Sequence, residues 1–164
     1  MKLNSYKGVN FLTMKVQIKK IKSIQTFELR HPLLRKGQPL SSCALYLDDD
    51  PQSFHLGAYQ NKKLVGILSA MPTPCPDQKA QNGIQFRAIA VHHDHQRSGI
   101  ATQLIQKAFL ILDEGHRPHH IWLNARIAVN TLYIANGFTP TGFPFDIHPI
   151  GTHQRFIKRI SYES

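Results

Sequence analysis

IQFRAIAVHHDHQRSGIATQLIQKAFLILDEG, residues 84–115, joins a short apolar run to a longer apolar pattern through a polar loop. The run over residues 84–91 is bounded by polar and glycine residues, which predicts a strand. From Ile100 to Leu112 the apolar residues recur at intervals of three and four, which predicts an amphipathic helix that ends at Gly115. The stretch therefore predicts a strand–loop–helix unit whose helix begins at Ser98 or Gly99.

The loop between this strand and this helix has the features of an anion-binding site. The first amide groups of a helix have no partners within it, and the helix dipole adds about half a positive charge there. Gly99 lets a ligand approach the backbone closely, and Arg97 adds a cation. Neither the Walker pattern nor the complete dinucleotide glycine pattern is present. The loop therefore predicts either a phosphate or pyrophosphate site of another kind or an ordinary helix start whose arginine faces water.

Strand and helix patterns on both sides of this unit predict an α+β fold with a mixed sheet. Strands are predicted within residues 15–24, within 53–71 as two runs on either side of residues 60–63, and within 119–125 and 155–160; helices are predicted within 23–35 and 128–136. The two apolar runs around residue 61 form the clearest hairpin, because Asn61 tolerates the backbone angles of a tight turn. Strands at both ends with helices between them fit the α+β class.

The length and composition bound the class of protein. A chain of 164 residues with 41% apolar and 18% charged residues is typical of one globular domain. No apolar run reaches the ~20 residues of a membrane helix, and residues 1–14 lack the apolar stretch of a signal peptide. We expect a flexible extension over residues 1–14 and one domain over residues 15–164. Cys43 and Cys75 lie far apart without a C-x-x-C pair, which favours the reducing cytoplasm.

The formal charge of +10 suggests an anionic partner and leaves a nucleic-acid-binding module as an alternative function. Such a module needs basic residues interleaved with aromatic ones on one face. Phe86, Phe109 and Trp122 stand instead at predicted core positions, so nucleic acid is not favoured.

Ten histidines raise the hypothesis of a metal site. Three of them, His92, His93 and His95, lie in one loop, and His116, His119 and His120 lie in another. Neighbouring residues of a strand point to opposite faces, and no H-E-x-x-H pattern is present. We therefore predict no metal site.

Two motifs carry a resemblance to a known family. QRSGIA (residues 96–101) resembles the Q/R-x-x-G-x-G/A signature of the GNAT superfamily of N-acetyltransferases, and LYIANGF (132–138) resembles its later L-Y-x-x-x-G-F motif at the usual interval. The hairpin lies where these enzymes carry strands two and three, and residues 145–160 resemble their final two strands. The resemblance spans about residues 15–160. It implies a twisted, mostly antiparallel sheet of six to seven strands flanked by about four helices.

The resemblance also implies an activity and a cofactor site. Its members move an acetyl group from acetyl-CoA to a primary amine of a small molecule or peptide, and many are homodimers. The pyrophosphate would lie on the amides of the signature loop and the pantetheine arm beside the preceding strand, with the Val91 amide as donor to the thioester carbonyl. An asparagine often stands seven residues before the family's tyrosine; this chain has Arg126 there, with two asparagines nearby. The residues implied to bind the cofactor are Ile89, Ala90, Val91, Gln96, Arg97, Ser98, Gly99, Ile100, Ala101, Thr102, Asn124, Asn130 and Tyr133.

The implied chemistry is direct attack of a neutral amine on the thioester within a ternary complex. Tyr133 falls on the family's tyrosine position and is the candidate acid for the departing thiolate, or it simply packs in the core. The strand lacks the glutamate that many relatives use as a base, so we select His153, acting through water, over Asp94, Asp146 and His148. The missing glutamate also leaves an alternative function open, in which the protein has this fold and binds CoA but has lost efficient catalysis. Arg87 holds a carboxylate of the acceptor or is a surface cation.

Overall fold

The computed structural model describes residues 15–162; the extension predicted for residues 1–14 lies outside this range, as do residues 163 and 164. Seven strands and three α-helices follow one another along it. The strands are β1 (Gln17–Ile21), β2 (Phe54–Gln60), β3 (Lys63–Met71), β4 (Gly83–Val91), β5 (His120–Arg126), β6 (Thr139–Ile147) and β7 (Gly151–Arg159). The helices are α1 (Ser23–Leu34), α2 (Ile100–Glu114) and α3 (Asn130–Ala135).

All seven strands form one sheet in the order β1-β2-β3-β4-β5-β7-β6. Every neighbouring pair is antiparallel except β4 and β5, which are parallel. The predicted hairpin is confirmed: β2 and β3 meet at Asn61 and Lys62, whose φ angles are both positive (51° and 62°). The α+β class and the mostly antiparallel sheet predicted from the sequence are confirmed.

The number of helices is lower than predicted, three rather than about four. Between α1 and β2 the described chain forms only a short 3₁₀ turn at Leu40–Cys43 and a series of polar turns. Pro39 precedes this turn and Pro51 follows the next ones. Each proline lacks an amide donor and disfavours a helical residue directly before it, which favours turns over a regular helix in this segment.

Helices cover both faces of the sheet. The predicted apolar stripe of α2 is confirmed, with Ile100, Leu104, Ile105, Ala108 and Leu112 buried against β2, β3 and β4. Helix α1 lies on the opposite face, where Leu29 packs with Leu64 and Ile67. We call these two sides of the sheet the α2 face and the α1 face. No helix within residues 15–162 is both long and apolar enough to cross a membrane.

A buried polar network fixes α1 and the segment after it to the sheet. The guanidinium of Arg30, 2% exposed, donates to both carboxylate oxygens of Asp48 at 2.7 and 2.8 Å. It also donates to the hydroxyl of Ser69 on β3 and to the carbonyl of Cys43, at 2.8 and 2.9 Å. His55 on β2 joins the network through Ser69 Oγ at 2.7 Å. The α1 face thus carries a buried charged network beside its apolar contacts, whereas the α2 face is packed by apolar residues.

Candidate active site

The two parallel strands at the middle of the sheet separate soon after they begin. Residues 83–85 of β4 pair with residues 120–122 of β5, and the pairing then stops. Both strands continue, β4 to Val91 and β5 to Arg126. Residues 87–91 are all partly exposed although β4 occupies the centre of a seven-stranded sheet. The carboxyl ends of β4 and β5 therefore border a cleft within the sheet.

A bulge in β4 accounts for this divergence. Ile67 of β3 pairs with Ala90, but Ser69 pairs with Arg87, so two residues of β4 oppose one of β3. Ala88 within the bulge has a φ of 51°, in the left-handed region that residues other than glycine rarely adopt. A bulge bends its strand and increases the local twist. The bend lies just past Gln85, the last residue of β4 that pairs with β5.

The backbone of Val91 points into the cleft. The His92 amide donates to the Val65 carbonyl of β3 at 2.8 Å. Because the hydrogen bonds of an antiparallel pair alternate, the N–H and C=O of the preceding residue, Val91, point away from β3. Gln96 Nε2 donates to the Val91 carbonyl at 3.1 Å, which agrees with this orientation. The Val91 amide is therefore free to meet a ligand lying between β4 and β5.

The loop after β4 forms a concavity lined by backbone amides. Arg97 and Gly99 have φ angles of 59° and 81°, and the Ser98 hydroxyl donates to the His95 carbonyl. Left-handed residues in such a turn bring successive N–H groups onto one side, where they bind anions. Gln103 is the first residue of the α2 start whose amide has a backbone acceptor, the Gly99 carbonyl at 3.0 Å. The amides of residues 97–102 have no acceptor within the described part of the chain.

The concavity is open beside Gly99. A Cβ built on Gly99 would meet no atom within 4 Å. The free amides beside it carry the positive end of α2, which at 15 residues is long enough to have a substantial dipole. The structure thus brings the signature-loop residues, 96 to 102, into one concavity directly beyond Val91. This arrangement suits an anionic group.

Tyr133, the candidate acid, lies in the core on the α2 face. Its ring is 7% exposed and contacts Phe138 and Phe156, with centroid distances of 6.1 and 5.8 Å. Burial raises the pKa of Tyr133 to about 12. Its hydroxyl makes no hydrogen bond to any residue between 15 and 162. It is not among the fully buried unpaired side-chain atoms of that range, which are the Nε atoms of Arg30 and Arg155, so solvent reaches it.

His153, the candidate base, lies at the start of β7 and is 7% exposed. Its Nδ1 is 2.8 Å from the Gly151 carbonyl, and its ring stacks on Phe145. A carbonyl only accepts, so Nδ1 carries the proton and Nε2 keeps its lone pair. His153 and Phe156 are three residues apart on one strand and so face opposite sides of the sheet. Since Tyr133 contacts Phe156, the structure places the two catalytic candidates on opposite faces, with no hydrogen bond or ring contact between them.

The two candidate asparagines have different positions. Asn124 lies on β5, two residues past the last residue that pairs with β4, and is exposed beside the cleft. Asn130 is the first residue of α3 and is partly buried. Neither side chain makes a hydrogen bond within residues 15–162. Asn124 thus borders the cleft, where a ligand can contact it. Asn130 lies at the start of α3, the helix that carries Tyr133.

The remaining candidate bases lie on the surface. Asp94 is exposed, with its carboxylate 3.7 Å from His92 Nδ1. Asp146 accepts a hydrogen bond from the Thr152 hydroxyl at 2.7 Å, and His148 is exposed.

Asn136 was not identified from the sequence, although it joins the two helices of the site. It is 5% exposed, and its Oδ1 accepts from Gln106 Nε2 at 2.9 Å. Its Nδ2 donates to the Leu132 carbonyl at 2.8 Å and to the Thr102 hydroxyl at 3.4 Å. Asn136 thereby holds the end of α3 against the first turn of α2. The only sequence signal was its place before Gly137, which marks a helix end and not a contact 34 residues away.

The histidine loop is arranged differently from the prediction. Residues 93–95 form a 3₁₀ turn and do not extend the strand, so the rings of His93 and His95 lie 5.7 and 5.8 Å from that of His92. The expected separation onto opposite faces is therefore wrong. No three His, Cys, Asp or Glu residues between 15 and 162 lie close enough together to hold a metal ion.

Comparisons with known proteins agree with this geometry. Residues 51–140 match the family described as acetyltransferase (GNAT) domain. The chain is 31% identical to the uncharacterised N-acetyltransferase YitI of Bacillus subtilis (strain 168) over 138 residues, which cover 84% of this chain and 92% of that protein.

Solved structures show the same fold at low sequence identity. The ribosomal-protein-S18-alanine N-acetyltransferase of Escherichia coli is 16% identical, with a TM-score of 0.72 over 92% of this chain and 97% of that one. An aminoglycoside 6'-N-acetyltransferase complexed with coenzyme A is 14% identical, with a TM-score of 0.68 over 90% of this chain and 99% of that one.

Proposed function

The chain belongs to the GNAT superfamily of acetyltransferases, and on that premise we propose that it transfers the acetyl group of acetyl-CoA to a primary amine. The observation that carries the proposal is the cleft between β4 and β5, which ends at the amide concavity before α2. One edge of β4 is left free beside a site for a pyrophosphate. A pantetheine arm joined to a pyrophosphate needs both the free edge of a strand and an anion site.

The chain's residues divide the binding of acetyl-CoA between them. The amides of residues 97–102 and the side chain of Arg97 hold the pyrophosphate. The free edge of β4 at Ile89, Ala90 and Val91 binds the pantetheine amides, and the Val91 N–H polarises the thioester carbonyl. Asn124 meets the ligand from β5, and Gln96, through Val91, keeps the concavity in register with the strand. Acetyl-CoA itself supplies the activated acetyl group.

Tyr133 stabilises the sulfur that leaves. With a pKa of about 12 its hydroxyl is protonated throughout the neutral range, and no other residue of the described chain binds it. A thiol has a pKa near ~8.5, so complete proton transfer from Tyr133 to a thiolate is uphill. The hydroxyl therefore acts chiefly as a hydrogen-bond donor to the developing negative charge.

His153 accepts the proton of the attacking amine through water from the other face of the sheet. Its Nδ1–H is fixed on the Gly151 carbonyl, which leaves Nε2 as the basic nitrogen. The amine then approaches the thioester from the α1 face while the sulfur leaves towards Tyr133. Separate faces for the base and the acid suit a direct attack, because the two groups act on opposite sides of the reacting carbon.

Thermal shift of the purified protein with acetyl-CoA, free CoA and ATP tests the cofactor first. A ligand at about 100 times its dissociation constant adds about 2.7 kcal/mol to the free energy of unfolding, which raises the melting temperature by several degrees. We expect a rise with both forms of CoA and little with ATP. Release of CoA in the presence of a panel of primary amines then tests the transfer. No shift with millimolar acetyl-CoA would exclude the proposed function.

We further propose that the protein works in the cytoplasm. Cys43 and Cys75 are both buried as free thiols, a state that a reducing compartment preserves.

A further inference from the structure

Arg87 lies on the α1 face at the inner end of the cleft. It is two residues past Gln85, the last residue of β4 that pairs with β5. Its partner on β3 is Ser69, whose hydroxyl accepts a hydrogen bond from Arg30 of α1 at 2.8 Å. Directly paired residues of two strands point to the same face. The Arg87 side chain therefore projects between the cleft and α1.

The guanidinium of Arg87 has no acceptor between residues 15 and 162. It makes no hydrogen bond or ion pair with any residue of the described range, although its side chain is half-buried. Its nitrogens are not among the buried unpaired side-chain atoms of that range, so its five N–H donors are open to solvent and to a ligand. Burial lowers the pKa of Arg87, and the charges of Arg35 and Arg30 lower it further against an opposing effect of Asp48.

The surroundings of Arg87 carry an excess of positive charge. Asp48 is the carboxylate whose charge acts on Arg87, and both its oxygens already bind Arg30, at 2.7 and 2.8 Å. Arg35 donates to the carbonyls of Ser42 and Leu34, which are neutral acceptors. Arg35 and Arg87 thus have no bound counter-charge within the described part of the chain. A small hollow of about 10 Å³, room for about one water molecule, separates Arg30 and Arg35 from the bulge residue Ala88.

This cation is too far from the amide concavity to serve the cofactor phosphates. Arg87 precedes Val91 by four residues, up to about 13 Å along the bulged strand. The concavity lies beyond Val91, so the phosphates and Arg87 are at opposite ends of the free edge of β4. What reaches Arg87 is the group that enters from the α1 face, where the acceptor binds.

We propose that Arg87 binds a carboxylate of the acceptor, so that the substrates of this enzyme are amines that also carry an acidic group, as amino acids do. The inference rests on the proposed acetyl transfer. A planar guanidinium matches a carboxylate with two parallel hydrogen bonds, which fixes the direction of the molecule as well as its charge. The amine of the bound acceptor is then held at the cleft, beside the thioester. The positive charge of Arg35 strengthens the electrostatic attraction of the same site for a carboxylate.

Matched pairs of amines with and without the carboxylate test this directly. The probes are L-lysine with cadaverine, L-ornithine with putrescine, and L-phenylalanine with phenethylamine, each assayed for CoA release from acetyl-CoA. With the wild-type protein we expect the carboxylated member of at least one pair to have a kcat/KM at least tenfold higher. Equal or lower values for the carboxylated member of every active pair would overturn the inference without any variant.

Variants assign the preference to Arg87. Arg87→Met should remove the preference for the carboxylated amine, because the KM for that amine rises. Acetyl-CoA should still raise the melting temperature of this variant as in the wild type. Arg87→Lys should restore part of the preference, because lysine keeps the charge but not the planar fork. Arg159→Met is the matched control, since Arg159 is exposed at the far end of β7, opposite His120. A preference that survives Arg87→Met would also overturn the inference.

A binding measurement separates this inference from the proposed function. If acetyl-CoA binds but no pair is acetylated, the CoA-saturated protein is titrated with the same six amines and its melting temperature is followed. We expect a rise with carboxylated members for the wild type and none for Arg87→Met. An equal response to both members of each pair, or no response at all, counts against the carboxylate site. Absence of acetyl-CoA binding, by contrast, removes the acetyltransferase itself.

Discussion

Gln96 Nε2 donates a hydrogen bond to the carbonyl oxygen of Val91 at 3.1 Å. This bond joins the first residue of the loop signature to the last residue of β4. It therefore keeps the amide concavity and the free edge of the strand in a fixed relation, although the two anchor different parts of one ligand. Gln96, the first residue of the loop signature, thus supports the site by holding the backbone of Val91 in place.

Gln96→Ala should weaken acetyl-CoA binding about fivefold. One hydrogen bond of this kind is worth about 1 kcal/mol, and its loss lets the loop move relative to β4. Isothermal titration calorimetry measures the change. The control is Gln103→Ala, because Gln103 is exposed on α2. Equal dissociation constants for the two variants would show that the tether is not needed for binding.

Gly99→Ala and Gly37→Ala should separate backbone strain from ligand contact. Both glycines have nearly the same φ, 81° and 80°, and a Cβ on either would meet no atom within 4 Å. Each substitution should lower the free energy of unfolding by about 1–2 kcal/mol. Only Gly99→Ala should also weaken acetyl-CoA binding by tenfold or more, because its methyl group enters the amide concavity. Similar affinities for both variants would place the pyrophosphate elsewhere.

Tyr133→Phe should lower kcat by at least tenfold and leave the affinity for acetyl-CoA unchanged. The hydroxyl makes no hydrogen bond within residues 15–162, so its removal has little structural effect. Steady-state kinetics and calorimetry provide the two numbers. Tyr46→Phe is the control, since Tyr46 is 98% exposed. An unchanged kcat would give Tyr133 a packing role only, and activity near zero in the wild type would favour a CoA-binding fold with weak catalysis.

The raised pKa of Tyr133 should make the protein less stable at alkaline pH. The folded state keeps the proton up to about pH 12, whereas an unfolded tyrosine loses it near 10. Above pH 10 the unfolded state therefore binds fewer protons, and stability falls as the pH rises. Two pKa units correspond to about 2–3 kcal/mol. Urea unfolding at pH 9 and pH 12 should show this loss in the wild type and less of it in Tyr133→Phe; identical losses would show that Tyr133 is not shielded.

Two arginine–aspartate pairs of similar length should differ widely in their effect on stability. Arg30 and Asp48 are 2.7 Å apart and almost fully buried, whereas Arg155 and Asp77 are 2.6 Å apart and partly exposed. Asp48→Asn should lower the free energy of unfolding by about 3–5 kcal/mol, because it leaves a buried cation without its counter-charge. Asp77→Asn should lower it by about 0–1 kcal/mol. Chemical denaturation of both variants measures the difference, and equal losses would contradict the role of burial.

The same pair predicts a loss of stability in acid. Burial acts to raise the pKa of Asp48, but hydrogen bonds from Arg30 and the Leu45 amide, with the charges of Arg30 and His55, hold it below its usual range. The folded state therefore binds the proton less readily than the unfolded state does. The stability that ionised Asp48 contributes is therefore present above about pH 4 and is lost as the pH falls. Asp48→Asn should show a weaker dependence on pH in this range than the wild type; an equal dependence would assign acid unfolding to other carboxylates.

Sequence patterns predicted α2 and the β2–β3 hairpin well because both depend on neighbouring residues. The spacing of Ile100, Leu104 and Ala108 fixes the buried side of a helix, and Asn61 fixes a tight turn. The resemblance implied about four helices and the described chain has three; residues 35–53, with two prolines and many polar residues, form turns. The tautomer of His153 likewise needed the position of the Gly151 carbonyl.

The sequence by itself determined the order of the elements and the loop signature at residues 96–101, together with a buried stripe on α2, since each depends on contacts within a few residues. Only the tertiary structure decided where β4 leaves β5, which way the Val91 amide points, and that Arg87 has no partner among residues 15–162. These features depend on the register of β3 against β4 and on a bulge at Ala88, which shifts every later side chain and amide. A one-residue shift reverses the direction of a strand's groups, and no local pattern in the sequence records it.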